Sequence, residues 1–120
     1  MKLSDKEWIV LDALWKTGGA ELGVLVEVLY GTTGWSRNTV LTYLTRMEAK
    51  GLVMICKDGY PHIYHAALDR EKCQKQERQS FLQRVYKGAA GDLIAAFLKE
   101  EKISPEERER LRRMLDEMEV

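Results

Sequence analysis

The sequence predicts a mostly α protein in which a winged helix-turn-helix over residues 1–68 precedes a helical region over residues 69–120. Three observations predict it. Apolar residues recur at helical spacing in three short segments, each closed by glycine. The pattern then changes to two β-branched and aromatic runs around an Asp-Gly pair, and from Asp69 the helical period returns.

Ser4-Asp5-Lys6-Glu7 has the form of a capping box, in which the Ser4 hydroxyl reaches the third amide of the helix and Glu7 reaches back. A helix therefore starts there, carries Trp8, Leu11, Leu14 and Trp15 on one side, and stops at Gly18-Gly19. Glu21 to Tyr30 repeats the pattern through Leu22, Leu25, Val26 and Leu29 before Gly31-Thr32-Thr33-Gly34 breaks it. The third helix takes Ser36 as N-cap and ends at Lys50-Gly51, where Gly51 suits the left-handed position past a helix end.

Leu52 to Lys57 and His62 to Leu68 read as strands, with Asp58-Gly59 as the hairpin signal. Pro61 has no amide proton and belongs at the loose tip rather than inside the ladder. Beyond Asp69, a charged helix carries the apolar cluster Phe81, Leu82, Val85 and Tyr86, and Gly88 and Gly91 bracket a short break. Leu93, Ile94, Phe97 and Leu98 form a stripe that one helix cannot bury. Ser104-Pro105-Glu106-Glu107 opens the last helix with an N-cap, a proline in the first turn and a second capping box, and its inner stripe is Leu111, Met114, Leu115 and Met118.

A chain of 120 residues holds one ordinary domain, or a small domain plus an oligomerisation element, and neither is generously stable alone. Association with a second copy is expected, and the two C-terminal stripes with Phe81, Leu82 and Val85 are the surface for it. Charged residues at 32% place the chain with soluble globular proteins, and the longest apolar run, Leu93 to Leu98, is too short to cross a bilayer. Met1 to Asp5 lacks the apolar segment of an export signal, so a cytoplasmic location is expected. In that compartment Cys56 and Cys73 are two free thiols.

Catalysis and metal binding find little support. There are two histidines, both in the hairpin, and neither a Gly-x-Ser-x-Gly elbow nor a phosphate-binding loop. His62 and His65 lie three apart on a strand and point to opposite faces, so no metal site is assigned with Cys56 or Cys73. Glu100-Glu101 and Glu106-Glu107 are solvated carboxylates at helix ends, and Met114 and Met118 belong to a core or interface. No enzyme and no cofactor is expected.

The third helix carries the remaining signal. On a helical wheel Val40, Leu41, Leu44 and Met47 gather on one side, and Asn38, Thr39, Thr42, Tyr43, Arg46 and Ala49 on the other. Short hydroxyl, amide and aromatic side chains let a helix enter a major groove about 12 Å wide, from which phosphate would repel glutamate. Asn38, Thr39 and Thr42, with Ser36 at the helix start, suit base edges or a thymine methyl. Arg37 and Arg46 suit phosphate or a bidentate guanine contact, and Tyr43 can donate to a phosphate. Net charge is zero overall, with 7 basic and 7 acidic residues over 1–68 and 12 of each over 69–120, so the case rests on local placement. A winged helix that binds only protein remains the alternative.

Several segments together resemble the β-lactamase (penicillinase) and methicillin-resistance repressors, a family of dimeric winged-helix regulators. "LSDKEWIVLDALW" is similar to that family's opening helix, "WSRNTVLTYLTRMEAKGLV" to its recognition-helix signature, and "FLQRVYKGAAGDLIAAFL" with "SPEERERLRRMLDEME" to its dimerisation region. The resemblance covers essentially the whole chain. It implies a homodimer whose N-terminal domains sit on dyad-symmetric double-stranded operator DNA, with Lys57, Tyr60 and His62 near the wing tip on backbone or minor groove. It also implies relief of repression by a sensor protease cutting near Ala96-Phe97, although alanine stands there in place of a polar residue. A copper-responsive branch of the family carries paired C-terminal cysteines, and Asp116 to Val120 has none.

Overall fold

The computed structural model describes residues 2–100 and 102–118. Met1, Glu101, Glu119 and Val120 lie outside the described residues, and with them one member of the Glu100-Glu101 pair and the end of the cysteine-free C-terminus. The elements are α1 (Asp5–Thr17), α2 (Leu22–Thr33), α3 (Arg37–Ala49), β1 (Val53–Cys56), β2 (Ile63–Ala66), α4 (Arg70–Tyr86), α5 (Ala90–Glu100) and α6 (Pro105–Glu117). Two compact units divide the chain between Glu77 and Arg78. The second strand of the wing ends at Ala66, whereas the first unit runs on into α4, where Cys73 is buried with the core of the winged helix.

Local chemistry sets the helix ends of the first unit. The Ser4 hydroxyl accepts from Glu7 N at 3.2 Å, and Ser4 N donates to Glu7 Oε1 at 2.9 Å, a complete capping box. Ser36 Oγ caps α3 by accepting from Thr39 N at 3.3 Å. Gly51 follows the α3 cap residue with φ 80°, the conformation glycine adopts without a Cβ penalty. The core is built from Val10, Leu11 and Leu14 of α1, Leu25 and Leu29 of α2, and Val40, Leu44 and Met47 of α3, closed by Leu52, Val53 and Tyr64. Burying one such side chain contributes about 1.5–3 kcal/mol.

Leu41, expected on the core side of α3, is exposed instead. It stands at the edge of the apolar arc, and the helix is rotated so that Val40, Leu44 and Met47 are the three that close on the core.

The strands pair antiparallel in the register Val53↔Ala66, Met54↔His65, Ile55↔Tyr64 and Cys56↔Ile63. They are shorter than the apolar runs. Residues 57–62 form a six-residue loop, so Asp58-Gly59 lies within a wider tip and is not a tight two-residue turn. Pro61 sits in that loop, where no ladder donor is required. The opposite edge of β2 is occupied, because Tyr64 N donates to Ala20 O at 2.8 Å and Ala20 N to Tyr64 O at 3.1 Å. One residue earlier, a Cβ on Gly19 would overlap the His65 imidazole. The wing is thereby fastened to the α1–α2 turn, and Trp15 Nε1 donates to Leu68 O at 3.0 Å to hold the chain that leaves it.

The second unit has a different character. Gly91 lies in the first turn of α5, so the break before that helix is shorter than the two glycines implied. Ser104 Oγ accepts from Glu107 N at 3.1 Å, while the reciprocal bond of a capping box is absent among the described residues; Glu107 is exposed, where water competes for its carboxylate. No residue of α5 or α6 is buried. No helix of the described residues is long and apolar enough to cross a membrane.

Candidate nucleic-acid interface

The seating of the inner side of α3 fixes which residues its outward side presents. Opposite the buried line Val40, Leu44 and Met47 runs the line Asn38, Thr42, Thr45 and Ala49, all exposed. Thr39 and Arg46 flank it. Thr45 is a contact candidate that sequence reasoning missed, although the wheel places it between Leu41 and Asn38; its position on the exposed line follows once Leu41 is seen to lie outside the core.

Internal bonds occupy part of this polar surface. Thr42 Oγ1 donates to the Asn38 carbonyl at 2.8 Å. Ser36 Oγ and Thr39 Oγ1 share a hydrogen bond at 3.1 Å while Ser36 caps the helix. Tyr43 is half-buried, its ring stacked on Trp35 with centroids 4.6 Å apart and planes 10° from parallel. That stack braces the start of α3 against its middle.

Charge on the helix is sorted by side. The first turn has no acidic residue, and the acid of α3, Glu48, is turned to Lys57 at the start of the wing loop at 3.9 Å. Arg37 and Arg46 are exposed and make no ion pair among the described residues. Lys50, at the C-terminal end of α3, is drawn back to α1, where its Nζ donates to Glu7 Oε2 at 2.9 Å. Glu7 is 7% exposed. Burial alone would push its carboxyl up, but the Ser4 amide, Lys50 and the Ser4 hydroxyl together hold it below the usual carboxylate range. The result is a helix face that is neutral along its crest and positive at Arg37 and Arg46.

The wing tip closes toward the same end. Tyr60, 91% exposed, meets His62 edge-on with ring centroids 5.7 Å apart. Tyr60, Pro61 and His62 line a cleft of about 280 Å³ with Arg37 of α3 and with Glu21 and Gly23 at the start of α2. Of the expected contact residues, Arg37, Tyr60 and His62 are therefore brought together at one end. Asn38, Thr42 and Arg46 lie along the helix, and Lys57, at the start of the wing loop, pairs with Glu48.

A second set of expected residues lies in the C-terminal unit. Phe81, Val85, Ile94, Phe97, Leu98, Leu111, Met114, Leu115 and Met118 are exposed, and Leu82 and Leu93 are half-buried. Along α6 a second cleft of about 280 Å³ is lined by Glu107, Arg110, Leu111 and Met114. Cys56 is exposed and Cys73 buried, both free thiols. Burial, and then the charge of Asp69, push the Cys73 thiol up.

Three helices, a two-stranded wing and a cationic, acid-free helix face define a winged helix-turn-helix transcriptional regulator. The chain matches the family model described as penicillinase repressor over residues 3–117 and belongs to that family, one of transcriptional repressors and not of enzymes. It is 29% identical to the penicillinase repressor of Bacillus licheniformis over 116 residues, covering 97% of this chain and 91% of the relative. It is 28% identical to the methicillin resistance regulatory protein MecI of Staphylococcus aureus (strain N315) over 115 residues, covering 96% and 94%. Among solved structures, the monomeric Bacillus licheniformis BlaI in complex with the blaP half-operator superposes with a TM-score of 0.53 at 28% identity, over 59% of this chain and 87% of that one.

Proposed function

We propose that the protein represses transcription as a homodimer on a dyad-symmetric operator, each α3 lying in the major groove of one half-site. The observation that carries this is the α3 face, whose crest is uncharged, whose cations Arg37 and Arg46 pair with no acid among the described residues, and whose own acid is turned away to Lys57. The likeness to a repressor whose structure includes a half-operator supports the same placement. Arg46 and Arg37 would then hold phosphate or guanine, Asn38 would meet a base edge, and Lys57, Tyr60 and His62 would follow the backbone or minor groove.

The homodimer rests on the apolar stripes of α5 and α6, which the single chain leaves uncovered. A two-fold protein matches a palindromic site whose halves are spaced by whole turns of DNA. Repression is steric, by occupation of the promoter. Its relief fits cleavage near Ala96-Phe97, because that bond falls inside α5 between Leu93/Ile94 and Phe97/Leu98. Cutting there divides the stripe and weakens the dimer without touching the winged helix.

A mobility-shift titration against the DNA upstream of the protein's own gene, at two salt concentrations, tests this. The expected result is a shift with dimer stoichiometry that weakens steeply with salt. No shift on that fragment or on pooled genomic fragments would favour a winged helix that binds only protein.

A further inference from the structure

We infer that α3 reads its operator in part through methyl groups, with the Thr42 γ-methyl packed against the C5 methyl of a thymine. This rests on the placement of α3 in the major groove proposed above. A threonine can read DNA in two ways, by its hydroxyl or by its methyl. Here the hydroxyl proton is engaged inside the helix, on the Asn38 carbonyl at 2.8 Å. With its oxygen directed back along the helix axis, the exposed residue offers a methyl outward and retains no free donor.

The neighbours on the crest fit the same chemistry. Thr42 stands between Asn38 and the exposed Thr45 and Ala49, a line with one amide, no charge and three methyl-bearing side chains. The Ser36 and Thr39 hydroxyls are bonded to each other at 3.1 Å, which ties up part of their hydrogen-bonding capacity, and Asn38 supplies the one amide of the crest. Thymine alone among the four bases carries a methyl in the major groove. The crest therefore selects thymine by apolar contact over the stretch that Thr42 covers.

The test uses the full-length protein and a duplex site that the wild type selects from a random-sequence DNA pool. Uracil is then substituted for thymine one position at a time, which removes the C5 methyl and leaves base pairing intact. Replacement at one position in each half-site is expected to weaken wild-type binding about threefold to fivefold per methyl lost. Thr42→Ser, which keeps the hydroxyl and deletes the methyl, should lose the same factor. Thr42→Val, which keeps the methyl and deletes the hydroxyl, should bind within about twofold of wild type.

The two losses should also fail to add, since Thr42→Ser on the uracil site removes a contact already gone. Uracil without effect at every thymine overturns the inference, and so does Thr42→Ser binding normally while Thr42→Val is weakened, because the hydroxyl would then be the reader. If the wild type selects no site from the pool, the DNA-binding proposal itself fails. Selection of a site that ignores both substitutions removes the methyl reading alone.

Discussion

The two units of the chain treat similar apolar side chains in opposite ways. In the winged helix, Leu11, Leu14, Leu25, Leu44 and Met47 are each at most 1% exposed. In α5 and α6, Phe97, Leu98, Met114 and Leu115 are half exposed or more, at 56%, 50%, 53% and 59%. The first unit reaches its stability by closing three helices and a hairpin on one another. The second carries amphipathic helices whose apolar faces this chain does not cover, which is the exposed surface that the proposed homodimer would bury.

A charge placed in the second unit breaks the contrast most directly. Phe97→Asp would leave an unpaired carboxylate in the proposed dimer interface, a cost of about 3–5 kcal/mol, and is expected to give monomer by light scattering with an unchanged winged helix. An intact dimer for that variant would remove the α5 stripe from the interface. In the first unit, Leu44→Ala opens a cavity in a closed core and should lower unfolding stability by about 2–5 kcal/mol in urea titrations. The same truncation at Leu115 should change dimer dissociation and leave the winged-helix transition in place.

Smaller effects sharpen the picture of the α3 face. Arg46→Ala should weaken operator binding and reduce the slope of log affinity against log salt by about 0.9, one phosphate contact. A variant with unchanged affinity and slope would show that Arg46 faces away from DNA. Glu7→Gln loses the charged half of the Lys50 contact and weakens the capping box. Because Lys50 is 59% exposed at the side chain, the loss should be only about 1 kcal/mol at neutral pH.

That loss carries a pH signature. The Glu7 carboxyl is held lower in the folded protein than in the unfolded chain, so its contribution is fully present above the ordinary carboxylate range and fades as pH falls through the lowered value. The stability difference between wild type and Glu7→Gln should be flat near neutrality and shrink below about pH 4. The smallest test is chemical. Alkylation of the native protein should modify exposed Cys56 and spare Cys73, whose thiol is buried and pushed up; equal labelling would mean that the start of α4 opens freely.

Features decided over three or four residues are legible in the sequence alone. Ser4 with Glu7, Ser36 with Thr39, and Ser104 with Glu107 each announce a helix start, because both partners of the bond lie within one turn. Features decided by distant partners are not. Lys50 looks like a solvated helix end until folding sets it beside Glu7, forty-three positions earlier. Tyr43 reads as a free phenol until Trp35 stacks on its ring. Leu41 is misplaced and Thr45 overlooked because a wheel gives spacing but not the rotation of the helix on its core. The proposed contact face is suggested by composition, through the lack of acid on the polar side of α3, whereas the engagement of its hydroxyls inside the helix depends on rotamers that composition does not specify.

The fastening of the wing to the α1–α2 turn bears on how such a body meets a flexible polymer. The paired Ala20–Tyr64 amides and the histidine seated on Gly19 make wing and helices one rigid gauge with a preset gap. A gauge does not adjust to its workpiece. On the proposed placement, DNA that already has the right groove width between α3 and the wing would be accepted at little elastic cost, and stiffer or wider sequence would have to be bent to fit. Base pairs that no side chain reaches would thereby be drawn into recognition, through a fastening that lies in the α1–α2 turn and not on α3 itself.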